Sequence, residues 1–360
     1  MWGLSKTLER FIYVSPINRK HLSDVYIRNC SSESTNILKV AIIGAPNAGK
    51  STIINQFVKR RVFAISKKVH TTKVCARAIL NHGNKQIIFL DTPGLVSLNE
   101  SERYKLGKSF ISGGEDAILE ADIIGVIHDV SNSGSRSSLD PKVLRLLNIY
   151  QDKESLLVLN KIDTLKSKNQ LLELSKKLTG EKMRSNVSED TPKKSLSELE
   201  LQQIIKTKRH WENFSEIFMV SALLGKGMHD FKNYLLKKTY PGKWIFPPDI
   251  YTDQNPVKII EEAVHSKLLE HLPEEIPYNV NVELEYLDMD KEELISAVVL
   301  VQCNNSRLVG LIKGIKGGRI RIIADEAEQA IADAFLTDVH LKLVITEKKS
   351  LKVEKDYING

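Results

Sequence analysis

The chain has 360 residues, 42% hydrophobic and 27% charged, enough for two domains with buried cores and unlike a low-complexity or disordered polypeptide. No apolar run reaches the length of a membrane span. The three cysteines, Cys30, Cys75 and Cys303, lack metal-ligand spacing, which points to free thiols in a reducing compartment. The formal net charge, 52 minus 45 or +7, leans toward anionic partners without naming one.

Residues 1–36 form a basic N-terminal segment. Lys6, Arg10, Arg19, Lys20 and Arg28 stand against Glu9 and Asp24, interleaved with Trp2, Leu4, Leu8, Phe11 and Ile12. This pattern suits an amphipathic organelle-targeting leader, and it equally suits a disordered basic tail; the two acids weigh against the leader.

The apolar run Leu38 to Ile43 then feeds Gly44-Ala45-Pro46-Asn47-Ala48-Gly49-Lys50-Ser51, a strand ending in a Walker A phosphate cradle. Gly44 and Gly49 let the backbone turn its N–H groups onto phosphate oxygens. Lys50 supplies a compact cation to the β- and γ-phosphates, and the Ser51 hydroxyl is a ligand for Mg²⁺. A helix starting near Lys50 adds its positive end. Downstream, Thr72, with Thr71 as the alternative, is the expected switch hydroxyl that reaches Mg²⁺ only while a γ-phosphate holds its loop closed.

The strand Ile87 to Leu90 runs into Asp91-Thr92-Pro93-Gly94. Asp91 is placed to hold Mg²⁺ through water, and the Gly94 N–H to meet the γ-phosphate. Leu95 stands where many small GTPases carry a glutamine that orients the attacking water. A leucine aims no water, so slow turnover is expected. Hydrolysis then rests on Mg²⁺, Lys50 and backbone dipoles, with a monovalent cation such as K⁺ as a further candidate; Asn47 is either its ligand or a brace of the turn.

The strand Leu156 to Leu159 precedes Asn160-Lys161-Ile162-Asp163, and Phe218 to Val220 precedes Ser221-Ala222-Leu223. Guanine presents two donors on one edge, and a carboxylate is the acceptor pair that fits them, so Asp163 selects guanine. Lys161 lays its stem along the base, Asn160 braces the loops, and an N–H near Ala222 donates to O6. Each motif follows an apolar strand, the layout of an α/β, doubly wound sheet with ligands at the carboxyl ends of its strands. This region is expected to span 37–240 and to bind GTP or GDP. Residues 166–199, rich in Lys, Ser, Glu and Thr, read as a mobile insertion with helical character at both ends.

A linker, 241–256, is expected from its prolines and Gly242, with Trp244 and Phe246 available to pin it to a surface. A smaller α+β domain, 257–348, follows, and then a tail, 349–360. Gly314-Ile315-Lys316-Gly317, flanked by Lys313, Arg319 and Arg321, is a Gly-x-x-Gly loop between strands and a helix, of the kind that clamps single-stranded RNA in KH domains. A plain helix-entry turn is the alternative.

From about Leu38 to Lys348 the chain resembles the Era family of GTPases, and within it the mitochondrial branch. The resemblance rests on the motifs above and on Thr71-Thr72, Trp244, Pro247-Pro248-Asp249, Thr252-Asp253 and Glu275-Ile276-Pro277-Tyr278. It implies a P-loop GTPase joined to a type II KH domain that binds small-subunit ribosomal RNA near its 3′ end. The implied task is to assist assembly of the small mitochondrial ribosomal subunit in the matrix. Asn47, Ala48, Gly49, Lys50, Ser51 and Thr52 fall on phosphate-binding positions and Asp91 and Gly94 on the switch. Asn160, Lys161 and Asp163 fall on the guanine site, and Gly314 to Gly317 on the RNA clamp. DNA is not an expected partner, and any inner-membrane association is expected to be peripheral. His70 and Lys73 depart from the bacterial pattern of Gln and Arg. Two other functions compete: an RNA chaperone gated by nucleotide with incidental hydrolysis, and a sister-family GTPase acting on tRNA or at membranes.

Overall fold

The computed structural model describes residues 34–65, 76–92, 109–165, 167–180, 198–273, 280–290 and 293–347. It divides into two compact units, one ending at Pro256 and one starting at Val257.

The first unit is built from β1 (Asn36–Gly44), α1 (Lys50–Val58), β2 (Ala76–His82), β3 (Lys85–Asp91), α2 (Ser109–Glu120), β4 (Ile123–Asp129), α3 (Pro141–Ile149), β5 (Glu154–Asn160), α4 (Lys168–Thr179), α5 (Glu198–Thr207), β6 (Phe214–Met219), α6 (Met228–Lys238) and β7 (Tyr240–Pro241). The strand order is β2-β3-β1-β4-β5-β6, with β7 beside β1. β3, β1, β4, β5 and β6 are parallel and β2 is antiparallel to β3. β1 is almost continuously apolar because both its faces are covered. Leu38, Val40 and Ile42 pack with Ile53, Ile54 and Phe57 of α1 and Phe231 and Leu235 of α6. Ile37, Ala41 and Ile43 pack on the other face with side chains of α2, α3 and α4. The sheet is thus doubly wound, as its sequence pattern requires. At the foot of β5, Glu154 accepts hydrogen bonds from the Ser215 hydroxyl, the Tyr234 hydroxyl and the Lys238 ammonium, each at 2.9 Å, and so fastens β6 and α6 to β5.

Two stretches are held more firmly than expected. α4 is the helix expected at one end of the 166–199 insertion, yet it is a core helix. Leu171, Leu174 and Leu178 are buried at spacings of three and four, one helical stripe within a lysine-rich segment. Residues 181–197 lie outside the described residues. The linker expected over 241–256, with Trp244 and Phe246 available to pin it, is a strap fastened to the first unit. The buried Gln86 accepts from the Ile245 and Phe246 amides (3.0 and 3.1 Å) and donates to the Phe246 carbonyl (2.9 Å). Trp244 Nε1 donates to the Asn36 carbonyl at 3.2 Å. Further on, the Ile79 amide donates to the Tyr251 carbonyl, the Thr252 hydroxyl to the Arg77 carbonyl, and the Arg77 amide to Asp253. The strap therefore covers the outer edge of β2.

The second unit runs α7 (Pro256–His271), β8 (Val280–Met289), β9 (Ile295–Cys303), α8 (Ser306–Lys313), α9 (Gly318–Phe335) and β10 (Val339–Glu347). Its sheet has the order β10-β9-β8, with β10 parallel and β8 antiparallel to β9. Ile295, Ala297, Val299, Val301 and Cys303 alternate along β9 into a core that includes Val264 and Leu268 of α7, Ile312 of α8 and Ile323, Ala327 and Ile331 of α9. The order α-β-β-α-α-β fits the α+β domain of KH type that the resemblance implies. One helix was not foreseen. Asn305 caps α8 by accepting the Leu308 amide at 2.9 Å, so the Gly-x-x-Gly loop joins two helices and does not follow a strand. Among the described residues no helix is long and apolar enough to cross a membrane.

Candidate nucleotide and nucleic-acid sites

The carboxyl ends of β1, β3, β4 and β5 meet at one rim of the sheet, and the loops beyond them carry the sequence motifs. β1 ends at Gly44 (φ 154), where an added Cβ would lie 2.3 Å from the Ile127 carbonyl oxygen of β4. A side chain is thus excluded by backbone. Asn47 is exposed at φ 60, a left-handed conformation that asparagine tolerates. Gly49 (φ 98) stands at the N-cap of α1 and offers no side chain to cover the first-turn amides. Those amides and the helix dipole favour an anion at this point.

Lys50 opens α1 and is buried, its ammonium donating to the Gly44 and Ala45 carbonyls, both at 3.0 Å. Burial pulls its pKa below the ordinary lysine value, while Asp91 and Asp140 pull it back up. A lysine stripped of water in this way interacts strongly with phosphate oxygens. Ser51 donates to Asp91 Oδ2 at 3.4 Å, and Thr52 follows on the first turn, half-buried. Asp91 ends β3 directly opposite Ile42 and is buried. The next residue, Thr92, holds that end in place by donating to the Ile42 carbonyl at 2.7 Å. A hydroxyl and a carboxylate this close form a hard-oxygen donor pair of the kind that Mg²⁺ takes, so the residues present fit that ion. Thr72, Gly94 and Leu95 lie outside the described residues.

The guanine motifs converge on one side chain. Asn160, buried at the end of β5, donates from Nδ2 to the Ala48 carbonyl at 2.8 Å and accepts on Oδ1 from the Ala222 amide at 3.1 Å. It therefore ties the phosphate loop to the Ser221-Ala222 loop, as a bracing residue should. It also explains Gly49 a second time, because an added Cβ there would lie 2.2 Å from Asn160 Nδ2. The Ala222 N–H itself is engaged by Asn160. Ser221 is buried and closes its own loop, its hydroxyl accepting from the Leu224 amide at 3.3 Å. Lys161 adopts φ 65 and pairs with Asp129, while Asp163 sits exposed in the 3₁₀ turn Ile162–Thr164. Asp129 was missed in the sequence. Burial works against its charge, but the Lys161 ammonium and the Ser131 hydroxyl and amide hold its carboxyl below the ordinary aspartate value. Its signal was positional, an acid at the end of a buried strand level with Asn160.

In the second unit, Gly314 (φ 70), Lys316 (φ 49) and Gly317 (φ 74) all have positive φ, and together they turn the chain sharply between α8 and α9. A Cβ at Gly314 would lie 2.7 Å from Arg319 Cβ, whereas one at Gly317 would meet nothing within 4 Å. Lys313 and Lys316 are exposed, and Ile315 at the tip is 91% exposed. Arg319 differs from its neighbours. Its guanidinium turns back onto the Leu311 carbonyl at 2.5 Å and closes the end of α8.

A family model described as a 50S ribosome-binding GTPase matches residues 39–161. A protein of Salmo salar named GTPase Era, mitochondrial, is 36% identical over 354 residues, covering 88% of this chain and 77% of the relative. The chain belongs to the Era family of GTPases. A second relative of the same name, from Danio rerio, is 31% identical and covers 94% of this chain and 81% of its own length. Among solved structures, Era in complex with MgGDPNP and nucleotides 1506–1542 of 16S ribosomal RNA superposes with a TM-score of 0.67 at 25% identity, covering 87% of this chain and 94% of that one. As an Era GTPase the chain binds guanine nucleotide and hydrolyses GTP, and its vertebrate relatives are the mitochondrial members of the family.

Proposed function

We propose that this Era GTPase binds small-subunit ribosomal RNA near its 3′ end in the mitochondrial matrix and assists assembly of the small mitochondrial ribosomal subunit. The observation that supports this reading best is the convergence of three sequence-distant motifs on Asn160, which makes one nucleotide pocket out of separate loops. A basic Gly-x-x-Gly loop in the second unit supplies the surface for a polynucleotide. In this reading Gly44, Asn47, Ala48, Gly49, Lys50, Ser51 and Thr52 surround the phosphates. Asp163 reads the guanine edge, Lys161 lies along the base, and Asn160, Ser221 and Ala222 hold the loop around it. Ser51, Asp91 and Thr72 would hold Mg²⁺, which when bound offsets phosphate charge, and Asn47 would serve K⁺. Lys313, Gly314, Ile315, Lys316 and Gly317 form the RNA clamp. Arg319 contributes by fixing α8.

Catalysis falls to few groups. Lys50 and the amides at the start of α1 stabilise charge that develops on the transferred phosphoryl group. Thr72 and Gly94 follow the γ-phosphate and couple its presence to the loops around them. Leu95 cannot orient water, so the isolated protein turns over at the unassisted rates of switch GTPases or below, at most on the order of 10⁻⁴ to 10⁻² per second. The test has two arms. Calorimetry on the purified chain with magnesium should register GTP and GDP uptake, and crosslinking in cells followed by sequencing should return the 3′ region of the small-subunit ribosomal RNA. No nucleotide uptake, or crosslinks confined to tRNA, would overturn the proposal.

A further inference from the structure

Asp129 ends β4 level with Asn160 of β5 and divides its two carboxylate oxygens between two tasks. Oδ1 accepts the Ser131 amide at 2.8 Å and the Ser131 hydroxyl at 2.6 Å, which folds the chain leaving the strand into a turn. Oδ2 takes the Lys161 ammonium. Lys161 itself is held with φ 65 between β5 and the 3₁₀ turn that carries Asp163. Both ends of the lysine are thereby fixed, its backbone by the loop and its charge by Asp129, and the four-carbon stem runs between two set points.

We infer that Asp129 is a positioning residue for the guanine nucleotide: it tethers the Lys161 ammonium so that the stem is a ready apolar surface for the base. This rests on the guanine-site reading above. A free lysine side chain carries rotamer entropy, and a ligand that must order it loses affinity accordingly. The tether removes that cost before the nucleotide arrives. The pair is half-buried, with side-chain exposures of 34% for Lys161 and 21% for Asp129, so the stem keeps an open side. A stem contacts the face of a purine and not its hydrogen-bonding edge. Its contribution is therefore the same for guanine and hypoxanthine, unlike that of Asp163.

The experiment is a double-mutant cycle on the full chain, read by calorimetry with GDP and IDP. Asp129→Asn keeps an oxygen for Ser131 and turns an amide toward the ammonium. It should weaken GDP and IDP alike by about tenfold, the scale of one charge-assisted hydrogen bond, leaving their ratio unchanged. In a Lys161→Met background, which has a stem but no charge to tether, the same substitution should change GDP affinity by less than about twofold. Equal losses in both backgrounds, or no loss where Lys161 is present, overturn the inference. If Asp129→Asn fails to fold, Asp129→Glu is read in the same cycle; a smaller loss again confined to the lysine background supports the tether, and any other pattern sinks it. An unaltered chain that takes up no GDP removes the guanine-site reading itself, a different result from a tether that has no effect.

Discussion

Gly44 and Gly49 of the nucleotide loops and Gly317 of the Gly-x-x-Gly loop are glycine for different reasons, while Gly314, crowded by Arg319, resembles the first pair. At Gly44 and Gly49 the space for a Cβ is already taken, by the Ile127 carbonyl and by the Asn160 amide. At Gly317 nothing stands within reach, and only its positive φ calls for glycine. The first site is assembled from strand ends far apart in sequence and locked by buried hydrogen bonds. The second is local, a turn between consecutive helices whose tip, Ile315, points outward. A site of the first kind grips a small ligand whose shape is constant. A site of the second kind offers backbone and charge to a polymer that supplies its own shape.

The contrast can be broken hardest at Gly49. Gly49→Ala places a methyl group on Asn160 and strains φ, and it should abolish measurable GDP binding by calorimetry, whereas Gly317→Ala should leave nucleotide affinity untouched. If both variants bind GDP normally, the crowding at Gly49 has no bearing on the ligand. Next in size, Asp163→Asn should exchange GTP for xanthosine triphosphate as the better ligand, since an amide now donates where the acid accepted. A preference shift of at least about tenfold, the worth of one charged hydrogen bond, is expected in competition binding; an unchanged preference removes Asp163 from the base edge. In the other region, replacing Lys313 and Lys316 with Glu should weaken single-stranded RNA binding and lower the slope of log affinity against log salt by at least roughly 1.4. GTP hydrolysis should be spared, and an unaltered slope would place the RNA elsewhere.

The smallest effect belongs to the scaffold under the guanine loops. Burial opposes the charge of Glu154, but Lys238, Ser215 and Tyr234 hold its pKa below the ordinary glutamate value. A depressed folded pKa adds stability that is complete above the unfolded value, near 4.3, and is lost as pH falls through the folded one. Glu154 is partly exposed, so Glu154→Gln should cost only about 1 kcal/mol at neutral pH. That difference should shrink in denaturant titrations run below about pH 4. A constant difference down to pH 3 would assign the loss to packing.

Much of this was legible because strand-loop-helix chemistry leaves a local trace. The run Leu38 to Ile43, the glycines after it and Lys50 announce their own geometry. Asp129 left no such trace, because a single acid at a strand end acquires meaning only when β4 and β5 lie in register. Leu171, Leu174 and Leu178 were masked by the lysines around them, although their spacing was helical. α8 was hidden by glycines on both sides of Leu311 and Ile312, and the turn of Arg319 onto Leu311 depends on that unseen helix. Trp244 and Phe246 gave away that the segment 241–256 could be pinned, but not its partner, the buried Gln86, which satisfies amides that no strand pairs.

That laid-flat segment decides where the enzyme can be divided. Cut after Tyr240, the first unit would bare the flank of β2 and the amide head of Gln86, a template on which another molecule's strand can grow. Cut after Asn255, it carries its own bandage and keeps that flank covered.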